Sequence, residues 1–280
     1  YLNNEQDAIL DEIQGETSIK EKYYAEAIHH LEKALKKSKN KSKQTRIHYV
    51  IGQLQLLLSE PNLRESLYHF NQVIKKNPDY EMVFNAKLMR AKTYGPGSTN
   101  KNTSDFNDLK KSLQKMLKDV KNTEYKDQIY FALGNLELNN LDTLSALNFL
   151  RLSTENSVFN NEQKLESHYL LANIFWNKKD YIESYNHCDS AYQITDAKNP
   201  IYYEIKNMRR NAKKVAEQYT IINYNDSIIE LAKLPEDDRN AIIDNHIANL
   251  KEQAEQEKMR QDAPSGNNSN SYEFDRQSEN

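Results

Sequence analysis

At 280 residues, with 28% charged side chains and a formal net charge of −3, the chain suits one elongated array better than two compact domains, and its overall field favours neither nucleic acid nor acidic membranes. No apolar run is long enough to span a bilayer, and a single cysteine, Cys188, excludes an internal disulfide framework. The first residue is Tyr1 rather than Met, so the expectation is an internal piece of a longer protein whose targeting segment lies elsewhere.

In chain order, small residues recur in pairs separated by about one helix: Gly15 with Ala27, Gly52 with Ser66, Gly134 with Ala146, and Ala172 with Ser184. Three pairs are twelve residues apart, and the Gly52 pair is fourteen apart through a two-residue insertion around Ser59 to Asn62. Two antiparallel helices need small residues where their backbones cross most closely, with bulky apolar residues on either side. The bulky position that follows carries Leu31, Phe70, Leu150 and Cys188, and a further position three residues on carries Ala34, Val73, Ser153 and Ala191. Pro78 closes the second unit, and Asp180 and Tyr181 mark the turn of the last. This order of small, bulky and breaker residues resembles the 34-residue tetratricopeptide repeat. Between the second and fourth units lies a degenerate one. Ala91 and Tyr94 end its first helix, and Phe106, Leu109, Leu113, Met116 and Leu117 keep helical spacing along its second. The connection from Gly95 to Ser104 is polar and rich in helix breakers, so a mobile surface loop is expected there.

Past Pro200 the paired pattern stops. Ile205, Met208, Ala212, Val215, Ala216 and Tyr219 hold helical spacing without a turn signal, which predicts one long helix, Ile201 to about Leu234, capping the array. Pro235-Glu236-Asp237-Asp238 then starts a new helix, with Pro in the first turn and acids at the positive end of the dipole. Ile242, Ile243, Ile247 and Leu250 share one face of it. The expected architecture is all-α: a solenoid of about five helical hairpins over residues 1–200, capping helices over 201–261 and a disordered Asn/Ser-rich linker over 262–280.

Nothing in this pattern supports catalysis. His29 and His30 are adjacent on a helix and diverge, while His48, His69, His168, His187 and His246 are dispersed without metal-ligand spacing. Gly95 and Gly97 follow no strand, so no phosphate loop is expected, and no cofactor is implied. Cys188 falls at a helix-packing position, which predicts a buried, inert thiol.

Binding is the better-supported theme. Lys33, Lys36, Lys37, Lys39, Lys41, Lys43 and Arg46 form a basic stretch at the end of the second helix. It reads either as dipole neutralisation on a solvated face or, through Lys36, Lys37 and Lys39, as a dock for an acidic partner or anionic headgroups. Of the 18 tyrosines most fall in repeat helices, where packing accounts for them. On the first helices of the hairpins, Tyr130, Asn135, His168 and Asn173 are the candidate anchors for a partner peptide.

The string from Asn225 to Asp244, Asn-Asp-Ser-Ile-Ile-Glu-Leu-Ala-Lys-Leu-Pro-Glu-Asp-Asp-Arg-Asn-Ala-Ile-Ile-Asp, followed by an acidic helix and the linker Ser265 to Asn270, is more particular. It resembles a segment of the PorW/SprE family, large tetratricopeptide lipoproteins of the Bacteroidota type IX secretion and gliding machinery. The specific likeness covers roughly Lys206 to Ile247, and the family's lipobox cysteine, signal peptide and later region have no counterpart in this stretch. The resemblance implies a periplasmic scaffold at the outer membrane, linking the ring and motor assembly to the outer-membrane translocon. A lipid anchor would lie outside this stretch. Another envelope-assembly repeat adaptor, or a cytoplasmic peptide-binding cochaperone-like module, remains an alternative. Against the latter, Asn135, Asn173 and Lys178 do not fall at the repeated spacing of a carboxylate clamp.

Overall fold

The computed structural model describes residues 4–95 and 103–262. Among these the structure is entirely helical: α1 (Asn4–Lys20), α2 (Tyr24–Lys37), α3 (Lys41–Leu56), α4 (Leu63–Lys76), α5 (Tyr80–Thr93), α6 (Thr103–Lys118), α7 (Lys126–Asn139), α8 (Thr143–Asn156), α9 (Asn161–Asn177), α10 (Tyr181–Ile194), α11 (Tyr202–Lys233) and α12 (Glu236–Asp262). A short 3-10 helix, Val120–Tyr125, joins α6 to α7 and was not foreshadowed by the pattern. Its anchor is Asn122, fully buried, which donates to the Met116 carbonyl at 2.8 Å and accepts from the Tyr80 hydroxyl at 2.6 Å. The expected linker beyond Asp262 and most of the Gly95–Ser104 connection lie outside the described residues.

Helix starts are set by short polar side chains. Asn40, Asn62, Asp79, Asp142, Asn160 and Asp180 each accept a hydrogen bond from a backbone amide of the first turn, satisfying donors that the helix itself cannot. The three hairpins with twelve-residue spacing share one turn. Lys22, Leu141 and Lys179 adopt positive φ of 64°, 65° and 64°, and the next residue donates its amide back across the turn, Tyr23 to Ser18, Asp142 to Glu137 and Asp180 to Phe175. The second hairpin, with its insertion, does without this turn, and its helices are joined by residues 57–62.

The small pairs sit at the helix crossings. A Cβ added to Gly134 would come within 2.8 Å of Leu150 Cγ, and one on Gly15 within 2.9 Å of Leu31 Cγ; on Gly52 it would meet the Phe70 ring at 3.0 Å. Where the second small residue is serine, its hydroxyl donates across the crossing: Ser66 to the Gly52 carbonyl at 2.7 Å and Ser184 to the Ala172 carbonyl at 2.9 Å.

Residues 1–217 and 218–280 form two units. In the first, apolar clusters join consecutive hairpins. Leu31 of α2 packs with Ile47 and Ile51 of α3; Phe70 and Val73 of α4 with Ala86 of α5; Leu88 of α5 and Leu113 of α6 with Ile129 and Leu133 of α7; Leu147 and Leu150 of α8 with Leu171 and Phe175 of α9. Ile205 of α11 closes the series on Leu165 and Ala191, so the capping role expected of α11 is visible in its first half, where Ala212 and Ala216 are also buried. Neighbour-to-neighbour burial of this kind defines a tetratricopeptide-like solenoid. The degenerate third unit is a full hairpin, and Cys188 is buried as expected. In the second unit, α11 and α12 expose several large apolar side chains, among them Ile222, Ile229, Ile243 and Leu250.

Two outcomes follow from these contacts. Leu141 is 88% exposed and gains nothing from its side chain in the left-handed turn. Leu141→Gly is therefore expected to stabilise the array by about 1 kcal/mol, seen as a higher thermal midpoint. Gly134→Val drives a branched side chain into fully buried Leu150 and is expected to lose about 1–3 kcal/mol in chemical denaturation, despite its better helix propensity.

Candidate functional site: surfaces for a partner

Four residues before the first small residue of a hairpin and three after the second, the two helices present side chains to each other. The pairs at this register are Asp11 with His30, His48 with His69, Tyr130 with Phe149, and His168 with His187. In both histidine pairs the Nδ1 atoms approach to 3.0 Å, and the rings are tilted with centroids 5.1 Å and 5.3 Å apart. Tyr130 stacks on Phe149 with centroids 6.4 Å apart. Of the four candidate anchors, Tyr130 and His168 thus face the second helix of their own hairpin, in place of the open face expected for them. Asn135 and Asn173 occupy equivalent positions in α7 and α9, and each side-chain amide donates to the carbonyl one turn back, Phe131 at 3.0 Å and Tyr169 at 2.9 Å.

The histidine pairs were invisible to a search for short motifs because 21 and 19 residues separate the partners. The signal was nonetheless present: once the small residues fix the register, the two histidines of each pair take the same two repeat positions. Burial pushes all four imidazoles down to about 4. Positive neighbours add to this, Lys76 for His48, Lys164 for His168 and Arg151 for His187, and within each pair one ring disfavours protonation of the other. Glu183, 4.0 Å from the Nε2 of His187, is the one acid in ion-pair range of these rings among the described residues. With two neutral rings, one Nδ1–H donates to the other Nδ1. No group of three or more metal-ligating side chains occurs among the described residues.

The open face of the first helices carries charged and aromatic side chains that bridge hairpins. Lys92 of α5 lies 5.0 Å from the Phe131 ring centre of α7 and 3.7 Å from Glu166 of α9. Tyr169 of α9 donates its hydroxyl to Glu204 of α11. On the opposite end of the array the basic stretch divides. Lys37 is drawn inward, 2.8 Å from Asp11 and 3.8 Å from Asp7, and its hydrogen bond to Asp11 is the main cause of a raised pKa. Lys36 and Lys39 remain exposed. A cleft of about 590 Å³ opens between the start of α7 and the α8–α9 connection, bordered by Tyr125, Gln128 and Asn156, with Phe159 97% exposed at its edge.

No family model matches the chain, and no curated protein matches it. Among solved structures it is similar to the crystal structure of the TPR domain of P58(IPK), at 18% identity and a TM-score of 0.29, over 76% of this chain and 57% of that one. The chain therefore spans somewhat more than half the length of that domain. An overlay this loose carries no argument about function, and the class rests on the hairpins, their small-residue crossings and their shared turn.

The neutral histidine pairs make stability depend on acidity. In the unfolded chain these imidazoles protonate near 6.5, in the folded one near 4, so between those values the unfolded state binds more protons. The histidine contribution is expected to lower the thermal midpoint as pH drops from 6.5 to 4 and to add no further loss below that. Replacing His168 and His187 with the Tyr and Phe of the neighbouring hairpin should flatten that profile, and calorimetry across this pH range measures it.

Proposed function

We propose that this chain is a non-enzymatic protein-binding scaffold, and that it serves as an accessory component of a type IX secretion machinery. In this reading it lies at the periplasmic face of the outer membrane and links the ring and motor assembly to the outer-membrane translocon. The observation that carries the binding role is an array whose cores are all internal to neighbouring hairpins, leaving the first-helix face with Lys92, Glu166 and Tyr169 available to a partner. The second unit adds a row of exposed isoleucines on α11 and α12, of the kind that mark interaction surfaces when contiguous. The pathway rests on the likeness of the Asn225–Asp244 string to the PorW/SprE family. In that string Lys233 ends α11 and Glu236 begins α12, with Pro235 between them.

Affinity purification of the full-length protein from its native envelope, with mass spectrometry of the co-purifying proteins, tests the assignment. Ring, motor or translocon components are the expected partners. Recovery of cytosolic chaperones or unrelated assembly factors in their place would remove the pathway and leave the fold. Because Lys37 is committed to Asp11, charge reversal belongs at Lys36 and Lys39. The double change Lys36→Glu with Lys39→Glu is expected to change the unfolding free energy by no more than about 1 kcal/mol, about 0.5 kcal/mol per site, while reducing recovery of an acidic partner.

A further inference from the structure

Three residues before the first small residue, each hairpin places a side chain at its junction with the next element: Glu12, Tyr49, Leu88, Phe131 and Tyr169 in turn. Four of the five are large and join the apolar clusters. Leu88 and Phe131 are buried in theirs, and Tyr49 and Tyr169 pack against theirs. Glu12 breaks the series. Instead of a filled joint, the first two hairpins enclose a cavity of about 280 Å³ floored by Ile19, Leu31, Ile47 and Val50. Glu12 and Glu16 of α1 form one wall; Lys43 and Arg46 of α3 form the other.

The Glu12 carboxylate oxygen Oε1 is buried and has no hydrogen-bond donor among the described residues. A carboxylate oxygen removed from water without a donor is costly, and proteins supply one unless a ligand does. The bases across the cavity do not supply it. Neither wall lies within ion-pair distance of the other, Lys43 turns to Glu5 at 4.0 Å, and Arg46 is exposed. The cavity therefore offers, in one span, an acceptor wall, an apolar floor and a cationic wall.

We infer that this cavity is a binding subsite for a partner peptide segment in which a basic and an acidic residue flank an apolar one. The apolar side chain fills the position that Tyr49 or Phe131 fills elsewhere, the basic side chain donates to Glu12 and Glu16, and the acidic one meets Lys43 and Arg46. The cavity volume suits one aliphatic side chain with its neighbouring backbone. This inference rests on the peptide-holding reading of the array but is independent of the secretion pathway.

The test uses the full 280-residue chain and five capped, fluorescein-labelled peptides with glycine flanks: Lys-Leu-Glu, Glu-Leu-Lys, Lys-Leu-Lys, Glu-Leu-Glu and Ala-Leu-Ala. Fluorescence anisotropy is expected to rank one of the two mixed-charge peptides about tenfold tighter than the like-charged and neutral ones. That peptide should shift the methyl resonances of Ile19, Leu31, Ile47 and Val50. Glu12→Leu, which fills the joint as its equivalents do, should abolish the preference and raise the thermal midpoint. Glu12→Gln, which keeps size and an acceptor, should fold normally and bind about tenfold more weakly. Equal binding of all five peptides, a preference that survives Glu12→Leu, or a lower midpoint in Glu12→Leu would each overturn the subsite. Any of these alongside successful co-purification of secretion components would leave the scaffold role standing.

Discussion

The close approach of two helix backbones at a glycine or alanine is the constraint on which the array depends. At Gly134 the Leu150 side chain lies where any Cβ would have to go, and the same holds for Gly15 against Leu31. Once that crossing is fixed, every other residue of the hairpin has a determined facing. The shared left-handed turn at Lys22, Leu141 and Lys179 follows from the length of chain left between the crossing points. In the second hairpin two extra residues remove that turn without moving the crossing, because Ser66 still reaches the Gly52 carbonyl.

With the backbone held constant, the hairpins differ through what they place at equivalent positions. Between the two helices of a hairpin the chain uses an acid with an imidazole, two imidazole pairs and an aromatic pair, all at one register. At the junction between hairpins it uses a carboxylate once and large apolar groups four times. Such substitutions exchange packing for polarity locally. Their energetic consequence stays within one joint, because each cluster is shared only by neighbours.

The sequence made the repeat legible because small residues at crossings have no cheap alternative, and the breaks at Pro200 and Pro235 were equally plain. The long α11 and the start of α12 were readable from spacing and from proline and acid placement alone. The short helix at Val120 was not, since its anchor is a tertiary bond between Asn122 and Tyr80, 42 residues away. The facing of Tyr130 and His168 is not legible in the spacing for a related reason. Knowing that a residue lies on the first helix of a hairpin does not say which side of that helix it occupies, and that needs the register carried through to the partner helix. Lys37 looked like its neighbours in a run of lysines, and only the fold brings Asp11 to it.

Burial shared strictly between neighbours also bears on how the chain reaches this state. Leu31, Ile47 and Ile51 belong to adjacent helices, so the first cluster is complete once α3 has been synthesised, long before Phe175 or Ile205 exists. Contacts this local close small loops and keep the contact order low, which favours rapid folding from the leading end of a growing or translocating chain. A chain that is threaded through a pore end first could then regain structure hairpin by hairpin as it emerges, without waiting for its far end.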